Sequence, residues 1–315
     1  MIVIKEYSIA EKHNWDNFCN TSKTPLFMFN RDFMEYHKDR FFDNSLMFYY
    51  NDDLIALLPA NKIDNMLLSH GGLTYGGFIV AHTMKQHIMN DCFAALQVYL
   101  KEHSLECLRY KAIPHIYHIQ PAEEYLYALY RNDANIIKIE PATIVNLEAP
   151  LKMPKGRKAQ IGRAKREGVE IQETCDFETF IELENTVLAE RHGVQAVHTA
   201  AELQLLNSYF PHNIKLFAAY YANDMIAGML VFEYKTVVHT QYMAASEKAR
   251  EIGALDLIVS SIIEKYKTQK KYLDFGISSE QNGAILNEGL IAQKEGFGGR
   301  TNVYITWEMC CKCDC

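Results

Sequence analysis

Residues 215–235 read KLFAAYYANDMIAGMLVFEYK, and residues 45–62 read SLMFYYNDDLIALLPANK. Each is an apolar run, a turn containing Asn and Asp, and a second apolar run, which is the pattern of a β-hairpin. NDMIA in one aligns with DDLIA in the other, so the chain repeats itself. A further strand follows each hairpin, NMLLSHGGLTYGG (65–77) in the first half and TVVHTQYMAAS (236–246) in the second. Next comes a helix with an apolar stripe at spacings of three and four: Ile88, Met89, Cys92, Phe93, Leu96 and Leu100 in one copy, Leu255, Ile258, Val259, Ile262, Ile263 and Tyr266 in the other. Each helix leads to a short strand, CLRYKAI or KYLDFGI, and to another helix, PAEEYLYALYRND or NGAILNEGLIAQKE. Two similar α/β units in tandem are therefore expected, over residues 1–145 and 146–309, followed by a cysteine-rich tail at 310–315.

The size agrees, since 315 residues is about twice a common domain length and 49% hydrophobic content is ample for buried cores. No run is long and apolar enough to span a bilayer; the best candidate is broken by Asn223 and Asp224. Lys5 and Glu6 arrive before any signal-peptide core could form, so a cytoplasmic location is expected. Cys19, Cys92, Cys107 and Cys175 sit among apolar neighbours and read as reduced, packed thiols. Cys310, Cys311, Cys313 and Cys315 read as a solvated, oxidation-prone end rather than a metal site, and no metal is expected.

A formal net charge of −7 disfavours indiscriminate binding to nucleic acid, and DNA is not an expected partner. One segment departs from that balance. LKMPKGRKAQIGRAKREG (151–168) carries Lys152, Lys155, Arg157, Lys158, Arg163, Lys165 and Arg166 against Glu167 alone. It is either a solvated connector helix or an anion site for phosphates. The decapeptide SHGGLTYGGF (69–78) is the other unusual stretch, with four glycines after a strand. Glycine there signals a bend or a close approach of something to the main chain.

The duplicated order, together with RKAQIGRAKREGVEI (157–171), YLDFG (272–276) and QKEGFGGR (293–300), resembles the GNAT acetyltransferase superfamily in tandem, and more narrowly the FemAB family of peptidyl and aminoacyl transferases. The resemblance covers nearly the whole chain and implies an α/β (α+β) fold of two GNAT-like units, each a mixed sheet flanked by helices. It implies transfer of an activated acyl or aminoacyl group onto an amine of a cell-envelope or polysaccharide precursor. The donor would be acyl-CoA or an aminoacyl-tRNA, with tRNA as a possible partner in the second case. A CoA-dependent small-molecule N-acetyltransferase and a non-catalytic tandem module that binds an anionic ligand are the alternatives. The long coiled-coil arm of some FemAB members is not visible, because no extended heptad run lies between Glu170 and Pro211.

Residues follow from that match. GNAT enzymes hold the coenzyme A pyrophosphate on an R/Q-x-x-G-x-G/A loop, and the corresponding piece here is REIGAL, with Arg250, Gly253, Ala254 and Leu255 as donor-binding candidates. Leucine replaces the last small residue, which would crowd a pyrophosphate. Arg157, Lys158, Arg163, Lys165 and Arg166 are the phosphate candidates. Lys294, from the K-x-G-F-G-G element, is expected to stabilise a developing oxyanion or a donor phosphate, Asp274 of YLDFG to orient the amine, and His239 to move a proton. His70, Tyr75, Gly76, Gly77 and Tyr242 are placed along the acceptor cleft. The competing expectations are a surface lysine at a helix end for Lys294, a salt-bridged aspartate for Asp274, hydrogen-bonded core residues for the strand histidines, and a solvated connector for the basic segment. No G-x-S-x-G elbow occurs, and His115 and His118 lack a third metal ligand nearby.

Overall fold

The computed structural model describes residues 1–192 and 195–311. In chain order the first elements are β1 (Ile2–Glu6), α1 (Lys12–Asn20), α2 (Arg31–Met34), β2 (Leu46–Tyr50), β3 (Asp53–Leu58), β4 (Asn61–Ile63), β5 (Met66–Leu68), β6 (Ile79–Val80), α3 (Gln86–Glu102), β7 (Cys107–Lys111), α4 (Glu124–Arg131) and β8 (Asn135–Asn146). They are followed by α5 (Lys155–Arg166), β9 (Glu170–Thr174), α6 (Phe177–His192), α7 (Ala200–Tyr209), β10 (Ile214–Tyr221), β11 (Asp224–Glu233), β12 (Val237–Ala245), α8 (Glu247–Ile252), α9 (Ala254–Tyr266), β13 (Tyr272–Ile277), β14 (Ser279–Glu280), β15 (Ile285–Leu286), α10 (Glu288–Glu295) and β16 (Arg300–Cys310).

Two compact units result. The first comprises Met1–Glu140, Gln281–Ala284 and the chain from Val303 onward; the second comprises Pro141–Glu280 and Ile285–Asn302. The last strand of the chain therefore serves the first unit, where β16 pairs antiparallel with β7. In the second unit the end of β8 pairs antiparallel with β13. The repeat detected in the sequence extends to backbone detail. Tyr50 faces Asp53 across Asn51 and Asp52, and Tyr221 faces Asp224 across Ala222 and Asn223. All four turn residues have positive φ, which is the type I′ turn whose twist matches a hairpin. Each hairpin then slips by one residue at the same place, with Ile55 and Ile226 bulged.

In the first unit β1-β2-β3-β6 form one sheet and β4-β5-β7-β16 a further run of paired strands. Phe93, Leu96 and Leu100 of α3 and Leu129 of α4 pack with Leu108, Tyr110 and Met309 into one core. In the second unit the strand order is β8-β13-β12-β11-β10-β9. Ile258, Val259, Ile262 and Tyr266 of α9 cover Met229, Val231, Val238, Leu273 and Phe275. The sheet's other face carries α6, whose Phe180 fills the space over Gly228: a Cβ on that glycine would lie 2.4 Å from the ring.

The glycines of SHGGLTYGGF are explained by packing inside the first unit. A Cβ at Gly72 would lie 2.3 Å from His37 Nε2, at Gly76 1.8 Å from the Ser69 carbonyl oxygen, and at Gly77 2.6 Å from the Tyr110 ring. The loop runs along β7, with the Ser69 and Gly76 amides donating to the Arg109 and Lys111 carbonyls. Protein atoms thus occupy the space that a substrate lying on those glycines would need. Tyr75 and His70 are buried in the same place. Among the thiols expected to be packed, Cys19 and Cys92 are buried, whereas Cys175 is exposed and Cys107 half-buried.

Candidate functional site

β12 and β13 run parallel and pair at Val237 with Tyr272, Val238 with Leu273, and His239 with Asp274. Pairing stops there, although β12 continues to Ala245 and β13 to Ile277. One residue beyond the last pair, β12 bulges: Val231 of β11 faces Thr240 and Leu230 faces Tyr242, so Gln241 is extra. Beyond that pair the two strands no longer bond to each other, and on β13 the Gly276 amide and the Gly276 and Ile277 carbonyls turn to side chains instead.

Three expected catalytic residues meet at this fork. His239 Nδ1 lies 3.4 Å from Asp274 Oδ2, and the Gly276 amide donates to Asp274 Oδ1 at 2.8 Å. Lys294, only 3% exposed, donates from Nζ to the Gly276 and Ile277 carbonyls at 3.0 and 2.5 Å. Burial lowers its pKa to about 8, against the opposing pull of the Asp274 charge. Gly276 links the three, since its φ of +69° turns the chain so that its amide reaches Asp274 while its carbonyl reaches Lys294.

Val238, Met243 and Ala245 point into the core beneath α9, so alternation turns His239, and beyond the bulge Tyr242, to the α6 face. There the structure adds two residues that the motifs did not indicate. His198 Nδ1 lies 2.7 Å from Tyr242 Oη, and the His198 amide donates to the same oxygen at 3.3 Å. Glu184 on α6 is 5% exposed, and its Oε2 is buried without a hydrogen-bond partner. Burial raises its pKa to about 7. Tyr242 is raised as well, first by burial, with the nearby Glu184 charge adding to it. A signal for Glu184 does exist in the sequence. Phe177, Phe180, Ile181 and Glu184 follow the three-and-four spacing of one helix face, so a carboxylate stands in the buried stripe of α6.

The remaining expected residues lie elsewhere in the second unit. Arg250 donates to the Ala245 carbonyl at 2.7 Å. The Gly253 amide donates to Ala249, and a Cβ on this glycine would lie 2.7 Å from the Gln160 carbonyl oxygen of α5. Ala254 is fully buried and Leu255 packs against the core. The loop REIGAL is thus closed against α5 on its glycine side.

The basic helix divides into two groups. Arg157 pairs with Asp256 at 2.6 Å, donates to the Gln293 carbonyl at 3.1 Å, and lies 4.2 Å from the centre of the Phe297 ring. It therefore joins the basic segment to the GFGG element. Arg163 pairs with Glu251 at 3.0 Å. Lys155, Lys158, Lys165 and Arg166 are exposed. At about 100° per residue these four fall within an arc of roughly 100°, with Gly162 inside it, turned away from the buried Ala164.

Among the described residues no helix is long and apolar enough to cross a membrane. Residues 155–282 match the model of the acetyltransferase (GNAT) domain. No curated protein sequence matches the chain. Solved structures do. The chain is similar to FemX at 10% identity and a TM-score of 0.69, covering 97% of each chain. It is similar to L-PGS from Bacillus licheniformis at 13% identity and a TM-score of 0.66, covering 98% of this chain and 94% of the other. A tandem GNAT protein from the clavulanic acid biosynthesis pathway aligns over all of both chains at 10% identity and a TM-score of 0.54. Residues 155–282 thus match a GNAT domain, and the chain shares its fold with FemX over 97% of its length and with a tandem GNAT protein over all of it.

Proposed function

We propose that the protein is an N-acyltransferase that moves an activated aminoacyl group onto an amine of a cell-envelope or polysaccharide precursor. The observation that carries this reading is the fork of β12 and β13, with His239, Asp274 and Lys294 gathered at its base and Glu184 and Tyr242 on the face that α6 covers. The donor carbonyl would lie between the parted strands. The acceptor amine, once neutral, attacks that carbon; the new C–N bond forms and the ester bond to the leaving group breaks. Glu184, ionised above about pH 7, takes the proton from the amine. Tyr242 keeps its proton at neutral pH because burial raises its pKa; it supplies that proton to the leaving oxygen and regains one through His198. Lys294 holds β13 in place and directs positive charge at the developing oxyanion.

An aminoacyl-tRNA is the donor favoured by two features. The REIGAL loop is closed against α5, which leaves little room for a pyrophosphate on Gly253, and α5 presents four unspent cations to solvent. A structurally similar domain belongs to a putative lysylphosphatidylglycerol synthetase, whose name gives an aminoacylated product, and this supports an aminoacyl group as the cargo. A tRNA donor would place the reaction in the cytoplasm. The GNAT match over 155–282 favours a second reading, an acyl-CoA donor with the same fork. Incubating the protein with a radiolabelled aminoacyl-tRNA pool or with acetyl-CoA, each with amine-bearing muropeptide and lipid precursors, separates the readings. Label should move from tRNA and not from acetyl-CoA. Transfer from acetyl-CoA alone would establish the second reading, and transfer from neither would overturn both.

A further inference from the structure

We propose that Cys107, Glu308 and Cys310 form a site for a thiophilic divalent cation, of which zinc is the type, on the outer face of β7 and β16. Cys107 and Cys310 are 203 residues apart in sequence and directly opposed in the antiparallel register, with Arg109 opposite Glu308 in the next pair on the same face. The Cys311 amide donates to the Glu106 carbonyl, so the two cysteines occupy a non-hydrogen-bonded pair, where side chains approach most closely. Their Sγ atoms lie 2.8 Å apart, and a Glu308 carboxylate oxygen falls within 4.8 Å of both. Leu108 and Met309, which alternate with them, are buried in the core, so the cluster is held on a rigid pair of strands.

Two thiols and a carboxylate converging on one point are a zinc donor set with one position open. Zinc–sulfur bonds of about 2.3 Å at tetrahedral angles need sulfurs roughly 3.8 Å apart. The pair must therefore open by about 1 Å, which rotation of the exposed Cys310 allows. Arg109 donates to Glu308 at 2.8 Å, so the carboxylate would be shared between the guanidinium and the cation. Entry of the metal releases one proton from each thiol, leaving two thiolates and one carboxylate around the ion.

The test is a titration of the full chain, reduced and stripped with a chelator, first with Co²⁺ and then with Zn²⁺ against a chromophoric chelator. The expected result is one ion per chain, a thiolate-to-cobalt charge-transfer band, and affinity at least about tenfold weaker in C107S and in C310S, with C175S unchanged. E308Q should weaken binding with the band retained. If C107S does not fold, C310S, at an exposed position, gives the same reading. Absence of the band, or affinity unchanged in C107S and C310S, would overturn the site. So would an intact mass two hydrogens light with a Cys107–Cys310 linked peptide in protein purified without reductant and resistant to metal loading after reduction.

Discussion

His239 Nδ1 lies 3.4 Å from Asp274 Oδ2 at the last residue pair that joins β12 to β13, so this contact sits where the sheet opens. Asp274 is fully buried and spends its other oxygen on the Gly276 amide. A carboxylate in that position is tied to two elements at once, and its charge is the property that distinguishes catalysis from mere bonding. Asp274→Asn keeps an acceptor for Gly276 and removes the charge. We expect kcat to fall by at least about tenfold with a midpoint of thermal unfolding within a few degrees of wild type. Asp274→Ala leaves the buried Gly276 amide unpaired and should cost about 1–3 kcal/mol in stability. Activity of the Asn variant equal to wild type would make the pair purely structural.

Glu184 gives a prediction with a definite sign. Its folded pKa of about 7 stands above the ordinary 4.5, so between those values the native state holds a proton that the unfolded chain has lost. Stability therefore declines as pH rises from about 4.5 to about 7 and is level above that range. Glu184→Gln removes the decline. Urea melts should show equal stability near pH 4 and a gain of up to about 3 kcal/mol for the variant at pH 8. The same variant should lose transferase activity, a trade of function for stability that a surface glutamate would not show.

Lys294 sets the alkaline side. Its depressed pKa of about 8 means that the ammonium is lost just above neutrality. With Glu184 as base, kcat/KM should rise through about pH 7 and fall through about pH 8, a narrow bell. Lys294→Arg, which holds its charge throughout, should abolish the alkaline fall in whatever activity it keeps. Lys294→Met leaves the Gly276 and Ile277 carbonyls without their donor and should cost about 1–3 kcal/mol.

The two groups of cations on α5 predict different phenotypes. Lys155, Lys158, Lys165 and Arg166 replaced together by Ala should leave the melting temperature unchanged and reduce the slope of log K for tRNA against log salt by about three. Arg157→Ala should do the reverse, lowering stability through loss of its bonds to Asp256 and Gln293 while leaving the slope within about one of wild type. An unchanged slope in the quadruple variant would return the helix to the role of a charged connector.

At Gly253 a side chain meets the Gln160 carbonyl, and φ is +79°. Gly253→Ala should therefore destabilise by about 1–3 kcal/mol whether or not a donor binds there. Calorimetry of the variant in the absence of any donor checks this. Stability unchanged would mean that α5 is not seated on the loop.

The repeat was legible in the sequence because its signals are local. A hairpin is fixed by residues within four positions of its turn, and YYNDDLIA and YYANDMIA carry the same turn and the same bulge. The helix stripes are local for the same reason, and so are the sharp bends at Gly276 and in GFGG. His239, Asp274 and Lys294 could be named because each lies in a short motif. What sequence alone did not decide is which distant surfaces fill which spaces. The glycines of SHGGLTYGGF read equally well as a bare shelf or a crowded bend until His37, Ser69 and Tyr110 are placed against them. Two of the α5 arginines looked like phosphate ligands until Asp256 and Glu251 took them up. Cys107 and Cys310 became neighbours only through the pairing of β7 with β16. Burial is the physical reason: it is set by contacts between segments from tens of residues to 203 residues apart. It alone turns a glutamate in α6 into a carboxyl group that titrates near pH 7.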